Sequence, residues 1–145
     1  MNLTFANTTH DDADTLVHMR IAAMRESLER IGRFDPQRAR DRFLASFEPE
    51  LCRFIVIDGV SVGFVLARPE KDFLKLEHFY VIPEHQGKGI GSMVMKTILA
   101  DADARSIEVK LGALRDSDSN RFYQRHGFVK EAEDEWDIYY ARQPQ

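Results

Sequence analysis

Three glycines at alternate positions, Gly87, Gly89 and Gly91, separate a strand-forming run that ends at Val81-Ile82 from an apolar-periodic stretch that begins at Ile90. Without side chains in the way, the backbone NH groups of residues 86 to 91 can approach an anion closely. A helix opening at the same place aims the positive end of its dipole at that anion. Phosphate binding is the chemistry this supports. A P-loop is excluded, because it needs Gly-Lys followed by Ser or Thr and Lys88 is followed by Gly89. The dinucleotide fingerprint needs a different glycine spacing. An ordinary strand-to-helix turn is the alternative explanation of the same glycines.

The elements that must position this turn can be read from periodicity. Leu3 and Phe5 suggest a short opening strand over 2–6. From Asp11 onward Val17, Ile21, Met24, Leu28 and Ile31 line one helical face, and Gly32 supplies the stop. Asp35-Pro36 has the form of an N-cap followed by proline at the first helical position. Ala39, Phe43 and either Phe47 or Leu44 form the buried side of that second helix, which Pro49 closes. Two strands, 54–57 and 60–66, flank the Asp58-Gly59 hairpin signal. A third, 73–82, puts Leu74, Leu76, His78, Tyr80 and Ile82 on one face and Lys75, Glu77, Phe79 and Val81 on the other, and it feeds the glycine turn directly. The helix after the turn carries Ile90, Val94 and Ile98 inward and ends near Asp103; a strand over 107–111 follows. Strand, helix, strand implies a parallel pair, with the turn at the carboxyl end of its strand where α/β folds place ligands. Asp116 or Ser117 caps a short helix ending at Gly127, and strands over 128–132 and 136–141 complete the chain.

Composition bounds the rest. The 145 residues, 43% hydrophobic and 30% charged, predict a single domain over 1–145 with no repeat or low-complexity tract. A net charge of -4 with interspersed signs lacks the basic footprint of a nucleic-acid binder. Cys52, the only cysteine, sits in an apolar run and suits a buried thiol in a reducing compartment. No signal pattern or membrane-spanning run is present, so a soluble cytoplasmic protein with no membrane partner is expected. His10, His18, His85 and His126 have no metal-ligand spacing, and no metal is expected.

Two motifs now make the turn specific. Gln86-Gly-Lys-Gly-Ile-Gly91 resembles the Gln/Arg-x-x-Gly-x-Gly/Ala signature of the GNAT superfamily of acyl-CoA-dependent N-acyltransferases, and Asn120-Arg-Phe-Tyr-Gln-Arg-His-Gly-Phe128 resembles its second motif. The element order resembles the same fold. The resemblance implies a mixed, mostly antiparallel α/β sheet with helices on both faces, splayed after Tyr80 at a central parallel pair. It implies acetyl-CoA as co-substrate, its pyrophosphate held by Gln86, Gly87, Lys88, Gly89, Ile90, Gly91 and Ser92, and its pantetheine arm along the backbone of Phe79, Tyr80 and Val81. Tyr123 would be the general acid, and Asn120 would bind the pantetheine or the chain around it. The implied activity is direct acetyl transfer to a primary amine, small-molecule or peptide, in a ternary complex. The alternative is a silent CoA-binding sensor.

Such transfer needs a neutral amine, a polarised thioester carbonyl and a protonated thiolate. A lysine-like amine with a pKa of about 10.4 requires about 4.6 kcal/mol to deprotonate at pH 7, which favours a base. Glu77 is the candidate base; as the alternative it is a surface carboxylate or an ion-pair partner of Lys75. His78 is the rival, although a strand histidine is more often a packed core residue. Residues 131–137 form an acidic cluster that suits either attraction of a cationic amine or a solvated hairpin. Trp136, Tyr139 and Tyr140 suit either a cleft lining or a homodimer contact.

Overall fold

The computed structural model describes residues 1–145. Strand β1 (Leu3–Asn7) leads through a short 3-10 turn into helix α1 (Ala13–Arg30). Thr9 and Asp12 form a reciprocal capping box at this entry. At the exit Gly32 takes a φ of 70°, and the NH groups of Gly32 and Arg33 reach back to Glu29 O and Leu28 O at 3.1 and 2.8 Å. That is the left-handed glycine stop the sequence predicts. The buried residues of α1 are Leu16, Val17 and Arg20, whereas Ile21, Met24 and Leu28 are only half-buried. The apolar stripe is therefore used in its first two turns, where Leu16 and Val17 join the core cluster of Phe43, Cys52, Phe64 and Leu66.

Helix α2 (Pro36–Ser46) begins as expected, with Asp35 Oδ1 accepting the Arg38 NH at 3.1 Å. Phe43 is fully buried and stacks on Phe47 at 5.1 Å, while Leu44 is 39% exposed, so Phe47 is the residue that extends the buried side. The helix ends at Ser46 because Phe47 is extended; Pro49 instead opens a 3-10 turn. Strands β2 (Cys52–Ile57) and β3 (Val60–Pro69) are joined by Asp58 and Gly59, both at positive φ, as a two-residue hairpin of this handedness requires. Ile55 faces Gly63 and Val56 faces Ser61, which leaves Val62 as an extra residue in β3.

Strand β4 (Phe73–Val81) buries Leu74, Leu76 and His78 on alternate positions. A turn and helix α3 (Ile90–Ala104) connect it to strand β5 (Glu108–Leu114). In α3 the buried residues include Val94, Met95, Leu99 and Ala102, and Ile98 is only half-buried. Helix α4 (Ser119–Arg125) and strands β6 (Val129–Glu133) and β7 (Asp137–Arg142) follow. Strand β5 runs three residues past its expected end because residues 109 to 114 pair antiparallel with 142 to 137 of β7. The cap of α4 also differs: Asp116 takes a φ of 68°, and the helix starts two residues after Ser117, without a side-chain cap bond from Asp118.

The sheet order is β1-β2-β3-β4-β5-β7-β6. β4 and β5 are parallel, and the β1-β2, β2-β3, β5-β7 and β6-β7 pairs are antiparallel. The parallel register covers Phe73, Leu74 and Lys75 opposite Glu108, Val109 and Lys110. It thus ends well before Tyr80, where the expected splay begins. The chain divides into two compact units, Met1–Leu66 with His78–Gly91, and Ala67–Glu77 with Ser92–Gln145.

Candidate functional site

In the first unit the glycine turn is closed by its own glutamine. Gln86 Nε2 donates to Val81 O at 2.7 Å, and the Gln86 NH donates to Pro83 O at 3.2 Å. The Gln86 NH is thereby used within the turn. No intramolecular acceptor takes the NH groups of Gly87, Lys88, Gly89, Ile90 or Gly91. Gly87 and Gly89 hold φ values of 78° and 81°, and a Cβ added at either meets nothing within 4 Å. Glycine is needed here for conformation, and the exposed NH groups of Gly87, Lys88 and Gly89 face open space.

Upstream of the turn, the extra residue in β3 sets the position of β4. The Ile82 NH donates to Val62 O at 2.9 Å, and a Cβ on Gly63 would lie 1.9 Å from the Tyr80 carbonyl oxygen. Only a glycine lets the two backbones approach this closely. The Tyr80 side chain points into the same unit. Its hydroxyl accepts from Arg20 Nε at 3.3 Å and lies 3.4 Å from His78 Nδ1. Either the hydroxyl or the imidazole can be the donor in that contact, because a phenol oxygen can accept from both Arg20 and His78. His78 is 8% exposed, with its ring 5.1 Å from that of Phe43. His78 is thus packed against Phe43 and hydrogen-bonded within the core. Cys52 is also buried, which pushes its thiol up to about 12, so it carries no thiolate at neutral pH.

In the second unit Glu77 is paired, though not with Lys75. Arg68 Nε meets Glu77 Oε2 at 3.0 Å, and the two side chains are 22% and 18% exposed. Asn120 binds the chain around it. Its Nδ2 donates to Leu114 O at 3.0 Å and Ser117 O at 2.9 Å, and its Oδ1 accepts the Tyr140 hydroxyl at 2.8 Å. Both amide hydrogens are thereby used, so the side chain serves to pin the loop before α4. Tyr123 is 8% exposed, with ring centroids 5.8 Å from Phe128 and 6.2 Å from Tyr140. Ser92 Oγ, in the first turn of α3, is 3.1 Å from His126 Nε2. Burial, aided by the charges of Lys96, Arg125 and Arg142, holds His126 below the ordinary imidazole range, so this is a hydrogen bond to a neutral ring.

Residues 50–130, more than half of the chain, match the family described as Acetyltransferase (GNAT) domain. The chain belongs to the GNAT acetyltransferase family. Solved structures agree on the fold of this GNAT chain. PaiA N-acetyltransferase from Thermoplasma acidophilum, in complex with coenzyme A, superposes with a TM-score of 0.78 at 18% identity over 99% of both chains. An acetyltransferase from Thermus thermophilus gives 0.76 at 18% identity over 99% of this chain and 97% of its own. The ribosomal-protein-S18-alanine N-acetyltransferase from Escherichia coli gives 0.73 at 15% identity over 98% and 94%. No curated protein matches the sequence.

Two structural features of the GNAT chain have faint signals in the sequence. Gly63 was detectable, since a glycine inside a strand pattern marks a close backbone approach. Arg20 was detectable too, as a charge interrupting the stripe of Leu16, Val17 and Ile21. The acidic segment near the end is a hydrogen-bonded hairpin. Asp134 accepts from the NH groups of Trp136 and Asp137 and from the Tyr139 hydroxyl, while Lys110 and Arg115 pair with Glu131 and Glu133. The Asp134 bond pushes the Tyr139 phenol up to about 12. Tyr140 is 1% exposed and so lines no surface; Trp136 and Tyr139, each 36% exposed, are the aromatics available there. No group of three or more His, Cys, Asp or Glu side chains is placed to hold a metal, and no helix is long and apolar enough to cross a membrane.

Proposed function

We propose that this chain is an acetyl-CoA-dependent N-acetyltransferase that passes the acetyl group directly to a primary amine in a ternary complex. The observation that carries this is the run of unpartnered NH groups from Gly87 to Gly91 in a GNAT-family chain. Backbone donors grouped at a helix start are suited to a pyrophosphate. A GNAT-fold neighbour crystallised with coenzyme A supports the choice of donor. One sheet order running through all seven strands supports a single functional domain over 1–145.

In this proposal the pyrophosphate binds the Gly87–Gly91 backbone, with Lys88 adding charge, and the pantetheine arm pairs with the backbone of Phe79, Tyr80 and Val81. The amine nitrogen attacks the thioester carbon, the C–N bond forms and the C–S bond breaks. The amine proton passes to Glu77, and the departing thiolate takes a proton from Tyr123. Cys52, protonated and buried, forms no acyl intermediate.

Titration calorimetry tests the donor assignment. Coenzyme A and acetyl-CoA should both bind the protein, and heat indistinguishable from dilution at millimolar ligand would sink the proposal. For the acid, Tyr123→Phe should lower kcat about tenfold, below the usual range of about 10² to 10⁴ for general-acid catalysis, because a thiol of pKa about 8.5 already leaves tolerably as thiolate. An unchanged kcat would return Tyr123 to a packing role with Phe128 and Tyr140.

A further inference from the structure

Arg20 is the one arginine of the first two helices that is buried, at 8% exposure. Arg25, Arg30, Arg38 and Arg40 all pair with carboxylates at the surface. Arg20 has none. Its Nε donates to the Tyr80 hydroxyl and its Nη1 to the Ala39 carbonyl, which leaves Nη2 with no partner in the protein. The one fully buried side-chain donor without a partner is Arg142 Nε, so Arg20 Nη2 keeps contact with solvent. A guanidinium withdrawn from water without a counter-charge is costly, and replacing such a group by an apolar one is often neutral or stabilising. Packing alone therefore gives no reason for a cation here. Its two fixed bonds orient the planar fork and leave one edge presented, which is the arrangement that receives a carboxylate.

We propose that Arg20 Nη2 binds an anionic group of the acceptor, so that the substrate is an amine that also bears a carboxylate. This rests on the acetyltransferase reading. Arg20 is held by the side chain of Tyr80, whose backbone belongs to the strip assigned there to the pantetheine arm. A carboxylate on Arg20 thus lies one tyrosine side chain from that strip, a span that an amino-acid-sized molecule can bridge to present its amine. The Tyr80 hydroxyl, fixed between Arg20 and His78, keeps the distance constant.

The test compares lysine and β-alanine with their carboxamides and with the decarboxylated amine cadaverine, following thiol release from acetyl-CoA. Wild type should prefer the carboxylate forms by about 10- to 100-fold in kcat/KM, the range of a charge-assisted hydrogen bond. In Arg20→Met that preference should fall to within about twofold, while coenzyme A affinity is unchanged and the ligand-free melting temperature is equal to or above wild type. A merely structural Arg20 would instead lower the melting temperature and leave selectivity alone. Should the methionine variant fail to fold, Arg20→Lys keeps the charge but loses the planar fork, and its preference should also drop. Equal or better turnover of the uncharged-tail amines by wild type, no turnover of any carboxylate-bearing amine, or a preference that survives both variants overturns the inference. If wild type binds no coenzyme A, the acetyltransferase reading fails and takes this inference with it; if it binds and selectivity ignores Arg20, this inference fails alone.

Discussion

Gly63→Ala is expected to unfold the protein at a temperature about 10 °C lower and to cut coenzyme A affinity by at least tenfold. A Cβ at this position would sit 1.9 Å from Tyr80 O, 2.9 Å from Tyr80 C and 3.0 Å from Val81 Cα. All three atoms are backbone, so no side-chain rotamer can relieve the overlap. Neither strand can move freely, because β3 is registered against β2 on one side of Val62 and the Val62 carbonyl holds the Ile82 NH on the other. Overpacking costs about 1 to 3 kcal/mol where side chains can yield, and the upper end or more applies when backbone must. At about 3 °C per kcal/mol for a chain of this size, that gives the melting shift stated. The affinity loss follows because the displaced atoms belong to the strip proposed for the pantetheine arm. Ser61→Ala, in the same strand but exposed, is the control and should change neither property. A lower melting temperature with wild-type coenzyme A affinity would detach the Phe79–Val81 strip from donor binding. A wild-type melting curve would mean that the β3–β4 approach is looser than 1.9 Å implies.

The physical reason Gly63 escaped notice applies to most of what the sequence left unread. Local rules were sufficient wherever one residue's conformation decides the outcome. Asp58-Gly59 turned the hairpin, Gly32 ended α1, Asp35-Pro36 began α2, and Gly87 and Gly89 took the positive φ that the cradle needs. Periodicity also placed Leu74, Leu76 and His78 correctly on the buried face of β4. It could not say what lies across from the other face. Lys75 is the obvious partner of Glu77 by spacing, but Arg68 reaches it from β3 across the turn that begins at Glu70. The motif position of Asn120 suits the pantetheine or the chain around it, and its bonds to Leu114, Ser117 and Tyr140 depend on a loop geometry that no pattern encodes. Arg20 is the same case inverted: its charge is visible in the sequence, and the absence of a carboxylate around it emerges only when the fold is assembled.

The Arg68 contact shapes the second large effect, expected from Glu77→Gln. The glutamine amide oxygen can still accept from Arg68 Nε at the same position, so the fold and the donor site should survive and the variant should remove the proton acceptor alone. General-base catalysis is worth about 10² to 10⁴ in rate, and kcat/KM at pH 7 should fall by at least 10². The loss should shrink as pH rises. A lysine-like amine must give up a proton at a cost of about 1.36 kcal/mol for every unit that its pKa of about 10.4 exceeds the pH. At pH 7 that is about 4.6 kcal/mol; at pH 9 it is about 1.9 kcal/mol, and each added unit restores up to about tenfold to a variant that depends on pre-formed free amine. The ratio of wild type to variant should therefore be largest at low pH and converge toward unity near the amine's own pKa. Arg68→Met separates the two roles open to Glu77. If Glu77 matters only as an ion-pair partner, removing either member should cause similar, modest and pH-independent losses, as expected of a partly exposed pair. If Glu77 is the base, the methionine variant leaves the carboxylate in place and should retain most of the activity, while the glutamine variant loses it at low pH. Parallel pH profiles for wild type and Glu77→Gln would remove Glu77 from the mechanism and leave His78 or water as the route for the proton.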